Sequence, residues 1–306
     1  MRLCRRILTV ALLGWMAWIG PVPPGIRAQV VQEFPGLGRV NWTAQVLQTT
    51  GVGQAPAALA PGARHSGAIE SAKKDASQKL LLMLFQLPYS AELNVQQAVT
   101  GKKATLMRLR NVLRHLQVDS LRNLSTGEVE ADVHVSLAGP LLDALLPVSV
   151  KAGKLMVTKQ PLCPLCGQPW PKGKPVPEGV KLIQPPGGGA EGAVYSGLVV
   201  DARNLGAQPA FLPRIVDEKG NVVYSLQFAR RNYAVELGLV KYDSDFSRAI
   251  ADERVADHPL VVKAVGVQGT HSADIVLSHS DALMIHAAAA NQNFLQRCRV
   301  IVLVGE

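Results

Sequence analysis

The sequence predicts an α+β protein of two small domains, each with a mostly antiparallel or mixed sheet and one or two packed helices. Its 306 residues are 48% hydrophobic and 18% charged, which suits a globular chain with two modest cores. Both halves show strand-like alternation and helix-like spacing of apolar residues. Between the halves, Pro161 to Gly192 contains eight of the 20 prolines and seven glycines, a density that packed helices and strand ladders do not tolerate.

The opening 28 residues have the pattern of a secretory signal peptide. Arg2, Arg5 and Arg6 precede a mostly apolar run of thirteen residues, after which prolines end any helix. Such a helix spans about 20 Å, less than the roughly 30 Å of a bilayer's hydrocarbon, so a membrane anchor is the weaker interpretation. Ile26-Arg27-Ala28 offers a cleavage site. We therefore expect export to the periplasm, with cleavage near Ala28.

The remaining chain divides at the segment rich in proline and glycine. We predict an N-terminal domain over residues 29–158, a linker over residues 159–192 and a C-terminal domain over residues 193–306. Four arginines of the leader supply nearly half of the formal charge of +9, so the mature chain is only mildly basic.

In the N-terminal domain, Val40 to Thr50 is a predicted strand and Ala63 to Leu87 a predicted helix. In the helix, apolar residues recur every three or four positions. The alanines at 68, 72 and 76 form a thin stripe that would let the helix approach a sheet closely. Apolar residues alternate with polar ones from Val129 to Leu137, which predicts a strand with one dry face and one wet face.

A second predicted helix, Lys102 to Leu116, is basic. Four leucines share one side of it, and five cations lie elsewhere: Lys102, Lys103, Arg108, Arg110 and Arg114. A helix of this kind can meet an anionic lipid surface, which predicts a peripheral membrane contact. The alternative is an ordinary solvated face.

In the C-terminal domain the sequence predicts several short strands and a helix near the end of the chain, and the polar stretch from Gln227 to Asp257 supports no firm prediction. The predicted strands are Val194 to Asp201, Arg214 to Val216, Val222 to Tyr224, Leu260 to Val267, Asp274 to Leu277 and Val300 to Val304. Ser280 is the predicted cap of a helix that runs to about Leu295. The last strand is wholly apolar, which is typical of the middle of a sheet covered on both faces.

Residues 39–140 resemble the N-terminal domain of the flagellar assembly protein FlgT and of LPP-type outer-membrane lipoproteins. The likeness rests on a strand containing Trp42, an alanine-striped helix beginning Ala63-Arg64 and the strand Gly127-Glu128-Val129-Glu130. It implies an exported α+β protein, periplasmic or associated with the outer membrane, with an assembly or scaffolding role. We expect envelope or flagellar proteins, or a second copy of the chain, as partners. Lipid attachment is not expected, because the cysteine of a lipobox follows the apolar run, whereas Cys4 precedes it.

Cys163-Pro164-Leu165-Cys166 is the sharpest local motif. Two thiolates at this spacing can bind one metal ion such as zinc. A closed site needs two further ligands. Cys298 is the only other cysteine after the leader. A disulfide between Cys163 and Cys166 suits an oxidising periplasm. Thiol redox chemistry is the third interpretation, although the surrounding prolines disfavour the helix that would lower a thiol pKa.

Other residue patterns do not favour catalysis. His258, His271, His279 and His286 have neither the one-turn spacing nor the motif of a metal-binding helix. Few aromatic residues and dispersed cations disfavour nucleic-acid binding. The sequence therefore predicts a non-enzymatic envelope protein without a cofactor. The alternative is a metal- or thiol-dependent periplasmic protein that uses Cys163 and Cys166.

Overall fold

The computed structural model describes residues 29–156, 160–161, 163–164, 169–182 and 194–305. The predicted signal peptide, residues 1–28, and Cys166 lie outside the described residues. Within them the chain has the predicted α+β fold, with helices packed on three sheets.

The first unit consists of one antiparallel sheet and four helices. Its strands are β1 (Val31–Phe34), β2 (Gly38–Asn41), β3 (Val46–Gly53), β4 (Gln117–Asn123) and β5 (Val129–Ser136). Its helices are α1 (Arg64–Gln86), α2 (Val95–Val99), α3 (Lys103–Val112) and α4 (Pro140–Leu145). The strand order is β1-β2-β3-β5-β4, so β1 and β4 form the two edges of this sheet.

The prediction of one strand from Val40 to Thr50 was wrong, because a tight turn divides this region into β2 and β3. The Asn41 side-chain oxygen accepts a hydrogen bond from the Ala44 amide at 2.9 Å, and Gln45 adopts a φ of 55°. An asparagine that bonds its own downstream backbone favours a turn. The two strands pair as a hairpin, with Val40 opposite Leu47.

Helix α1 lies very close to the sheet, as the alanine stripe predicted. Ala68, Ala72 and Ala76 are buried, and they face two glycines of β3. A Cβ built on Gly53 would lie 2.1 Å from the Ala72 nitrogen, and one on Gly51 would lie 2.1 Å from the Ala72 oxygen. Small residues on both surfaces therefore permit this contact.

The second unit contains two four-stranded sheets. Its strands are β6 (Gly197–Asp201), β7 (Ile215–Asp217), β8 (Val222–Tyr224), β9 (Lys241–Asp243), β10 (Pro259–Lys263), β11 (Gly266–Gln268), β12 (Asp274–Leu277) and β13 (Val300–Leu303). Its helices are α5 (Arg231–Leu237), α6 (Phe246–Ile250) and α7 (His279–Asn291). One sheet, β10-β6-β13-β9, is wholly parallel, and the other, β11-β12-β7-β8, is mixed.

Strand β13 is central and buried, as its composition predicted. It lies between β6 and β9, and all four of its residues are buried. Several details differ from the sequence-based predictions. Strand β6 begins at Gly197 rather than Val194, and α7 ends at Asn291 rather than near Leu295. The predicted strand from Leu260 to Val267 is two strands in different sheets, β10 and β11. Ser278, rather than Ser280, caps α7 by accepting a hydrogen bond from the Asp281 amide.

One hydrophobic core runs through both units. Trp42 of the first unit is 4% exposed and packs edge-on against Phe211 and Tyr242 of the second, with ring centroids 5.6 and 5.8 Å apart. The amides of Phe211 and Leu212 donate hydrogen bonds to the carbonyl oxygens of Pro88 and Tyr89. The two units therefore share one hydrophobic core and are packed against each other.

Candidate interaction surface

Helix α3 places the predicted cations on the surface. Leu109 and Leu113 are buried, and they hold the helix against α4. Lys103, Met107 and Arg110 have the i, i+4, i+7 spacing that aligns side chains along one side of a helix. All three are exposed, and Met107 is 71% exposed.

The charges around α3 have no acidic counterpart nearby in sequence. From Val95 to Val118 the chain contains no aspartate or glutamate. Among the described residues, no ion pair involves the five predicted cations: Lys102, Lys103, Arg108, Arg110 and Arg114. Their charge is therefore available to a partner.

A cleft beside α3 adds an apolar component. It has a volume of about 260 Å³, and Lys102 and Arg108 line it together with Leu145, Pro147 and Val148. Val148 is 87% exposed. Because Arg108 lies on the side of α3 that faces this cleft, the structure divides the cations between the outer side of α3 and the cleft.

Strand β4 is a second exposed feature. In the described part of the chain it pairs with β5 alone, and its register shifts between Val118 and Ser120. Leu121 is 47% exposed and pairs with the buried Ala131, so it lies on the α1 side of the sheet beyond the cover of α1. The sequence reasoning missed this edge, because no feature of the β4 sequence shows where it lies in the sheet.

The structure describes only one of the two cysteines in the motif that runs from Cys163 to Cys166. Cys163 is half-buried, and Cys166 lies outside the described residues, so the disulfide and the zinc site stay predictions. Cys298 is buried, and burial raises the pKa of its thiol. The Arg254 guanidinium donates to its carbonyl oxygen at 2.7 Å. Burial therefore favours an unreactive thiol at Cys298, although the Arg254 cation acts to lower the thiol pKa.

Three of the four histidines of the second unit have different surroundings. The His258 ring stacks on Tyr195, the His279 Nδ1 lies 2.7 Å from an Asp217 oxygen, and His286 is buried. Nowhere in the described ranges do three histidine, cysteine or acidic side chains gather as metal ligands would.

Buried carboxylates in the second unit fix its backbone. Asp243 accepts hydrogen bonds from the Arg248 guanidinium and from the amides of Ser244 and Asp245. Burial acts to raise the pKa of Asp243, but these hydrogen bonds outweigh it and the pKa lies below its ordinary value.

Asp217 accepts hydrogen bonds from the Lys219 and Asn221 amides in the β7–β8 turn. The carboxylates stabilise turns and the start of α6.

Residues 197–306 match the family model of the second domain of Treponema pallidum Tp0624. The match begins at β6 and covers the second unit alone. No curated protein matches the chain. The resemblance of the first unit to FlgT stays a prediction. None of the helices in the described part of the chain has the length and apolar character that a membrane crossing requires.

Proposed function

We propose that this chain is an exported, non-enzymatic protein of the bacterial cell envelope that acts in assembly by binding other proteins. The observation that carries the proposal is the open edge of the first sheet at β4. The signal-peptide pattern and the resemblance of residues 39–140 to FlgT support it. That resemblance makes flagellar assembly the first process to test.

An edge strand presents unpaired backbone N–H and C=O groups to which a strand of a partner can add. In β4 the register shift between Val118 and Ser120 interrupts the first half of the strand. From Ser120 to Asn123 the pairing with β5 is regular. We therefore expect a partner strand to pair here, with Leu121 in contact with an apolar side chain.

The second unit supports this role as a rigid base. The Arg254 guanidinium donates hydrogen bonds to the carbonyl oxygens of Leu237, Gly238 and Cys298 at 2.6, 2.6 and 2.7 Å. These bonds tie the end of α5 to the segment before β13. Charged groups used in this way hold backbone segments in fixed positions, which suits a scaffold.

Capture from envelope fractions tests the proposal. The tagged chain is crosslinked in the producing cells, and the attached proteins are identified. We expect Leu121→Asp to lose a partner that the unchanged chain recovers. Leu82→Asp is the matched control, because Leu82 on α1 is also an exposed leucine, at 52%, and it should retain the partner.

The proposal fails if the unchanged chain recovers no envelope protein or if both variants lose the partner equally. Export is tested separately by sequencing the N-terminus of the cellular product. A start near Gln29 is expected, and an unprocessed product in the cytoplasm would contradict the proposal. Deletion of the gene should impair motility if flagella are the assembly concerned.

A further inference from the structure

We propose that the outer side of α3 docks on the surface of an anionic lipid bilayer. The basic stripe, defined as Lys103, Met107, Arg110 and Arg114, would place its cations on lipid phosphates and Met107 among the acyl chains. The proposal concerns a lipid surface, and it holds whether or not the chain has an assembly role.

The stripe has the shape that an interfacial helix needs. On a helical wheel Lys103, Met107 and Arg110 fall within about 60°, at about 130° from the buried Leu109. Arg114 follows in the turn after the helix. The body of the protein thus covers one side of α3, and the other side faces away from it. Met107, the one apolar side chain of the stripe, is 71% exposed and lies between Lys103 and Arg110 along the helix axis. Helices that lie in the bilayer interface combine such an apolar centre with flanking cations.

The electrostatics favour an anionic surface over a neutral one. No ion pair among the described residues engages the cations of the stripe, and Lys102 and Arg108 add two charges at the cleft beside it. Val148, which is 87% exposed, lines the same cleft. Each lysine or arginine near an anionic leaflet strengthens binding roughly fivefold.

The shape of the stripe argues against an acidic protein as the partner. A ten-residue helix is about 15 Å long and about 10 Å wide. One convex side of it offers far less than the roughly 800 Å² that each partner buries in a stable protein complex. A bilayer needs no matching groove, because its lipids rearrange around a protruding side chain. The lipid surface is therefore the occupant that the geometry favours.

Vesicle sedimentation tests this proposal. The chain from Gln29 onward contains every described element and lacks the apolar leader, which would itself bind lipid. It is mixed with vesicles of phosphatidylcholine alone or with about one-third phosphatidylglycerol. We expect binding to the anionic vesicles only, weakened by raising the salt from about 0.1 to 0.5 M.

Two stripe variants and a matched control make the test specific. Lys103→Ser with Arg110→Ser should weaken binding roughly 25-fold, and Met107→Gln should weaken it several-fold with no change of charge. The control, Lys73→Ser with Lys74→Ser on α1, removes the same net charge and should bind like the unchanged chain. All these side chains are at least partly exposed, and circular dichroism checks that the variants fold.

Three outcomes would overturn the proposal. The anionic and neutral vesicles could recover equal amounts of the chain. The control could lose as much binding as the stripe variant, which would show a response to net charge alone. Finally, the stripe variant could bind vesicles normally yet lose a crosslinked acidic protein in cells, which would identify the stripe as a protein interface.

Discussion

The two units use their charged residues in opposite ways. In the second unit, Asp217, Asp243 and Arg254 are directed inward and hold turns and helix ends through short hydrogen bonds. In the first unit, the cations of α3 point outward and lack ion pairs among the described residues. The contrast teaches that similar residue types can be structural or available to a partner, depending on whether the fold supplies their hydrogen-bond partners.

The sheets of the two units also differ, because one is covered by the fold and the other is partly exposed. The parallel sheet of the second unit is covered on both faces, with Val199 and Ile301 under α6 and Val200 and Val302 in the main core. The antiparallel sheet of the first unit has one face under α1 and the other open to water, with a free edge at β4. The first unit is therefore where we expect partners to bind, and the second unit supports it.

The largest effect should come from breaking the contact between the units. Trp42→Ala removes a buried ring between Phe211 and Tyr242, and it should lower the free energy of unfolding by about 3–5 kcal/mol. Trp170→Ala is the control, because Trp170 is only partly buried outside the core, and it should cost much less. Urea denaturation measures both. Separate transitions for the two units in the unchanged chain would contradict a shared core.

A substitution at Asp243 tests whether the buried charges of the second unit stabilise its fold. Asp243→Asn leaves the guanidinium of Arg248 without its carboxylate, and hydrogen bonds to charged groups contribute about 1.5–3 kcal/mol. A loss of about 2 kcal/mol is expected in the same denaturation assay. Glu70→Gln breaks the exposed ion pair with Lys73 and should change stability by less than about 0.5 kcal/mol. Equal losses would remove the distinction between buried and surface charges.

The close contact of α1 with the first sheet depends on Gly53. In Gly53→Ala the new methyl group would clash with the Ala72 backbone, at a cost of about 1–3 kcal/mol. Gly62→Ala is the control, since no atom lies within 4 Å of its added Cβ. Thermal unfolding should show a lower Tm for the first variant alone. Equal Tm values would mean that the helix can move away from the sheet without cost.

A smaller, pH-dependent effect should come from His286. Burial lowers its pKa below the ordinary value, although the bond to Val223 and nearby Asp217 act in the opposite direction. The neutral ring fits its partners, because Nδ1 accepts from the Met156 amide and Nε2 donates to the Val223 oxygen, both at 2.7 Å. Its stabilisation is complete above the unfolded-state pKa and is lost as the pH falls through the folded-state pKa.

We therefore expect the free energy of unfolding to decrease as the pH falls below about 6.5, the ordinary pKa of histidine. His286→Gln should flatten this dependence, whereas His65→Gln, at an exposed histidine, should not. If the free energy of unfolding depends on pH as steeply in His286→Gln as in the unchanged chain, other groups cause the dependence and the prediction is wrong.

The sequence predicted local elements well and long-range placement poorly. The alanine stripe, the alternation from Val129 and the apolar run at Val300 each encode a local environment, and the structure confirms all three. The turn at Asn41 to Gln45 was missed because one side chain, that of Asn41, creates it between two segments that each favour a strand. The open edge at β4 depends on the order of strands, which local patterns do not contain.

For the candidate surface, the residues could be predicted from the sequence, but their arrangement could not. The five cations were identifiable from composition. Their division between the outer side of α3 and the cleft follows from the packing of Leu109 and Leu113 against α4, which only the fold fixes.

The most direct test of the account is a photo-crosslinking scan in living cells. A photoreactive residue is placed at Leu121 in β4, at Met107 in α3 and at the exposed Lys219 in the turn after β7. We predict crosslinks to an envelope protein from Leu121, to lipid from Met107, and none from Lys219. Crosslinks that arise from Lys219 while both first-unit positions stay silent would contradict it.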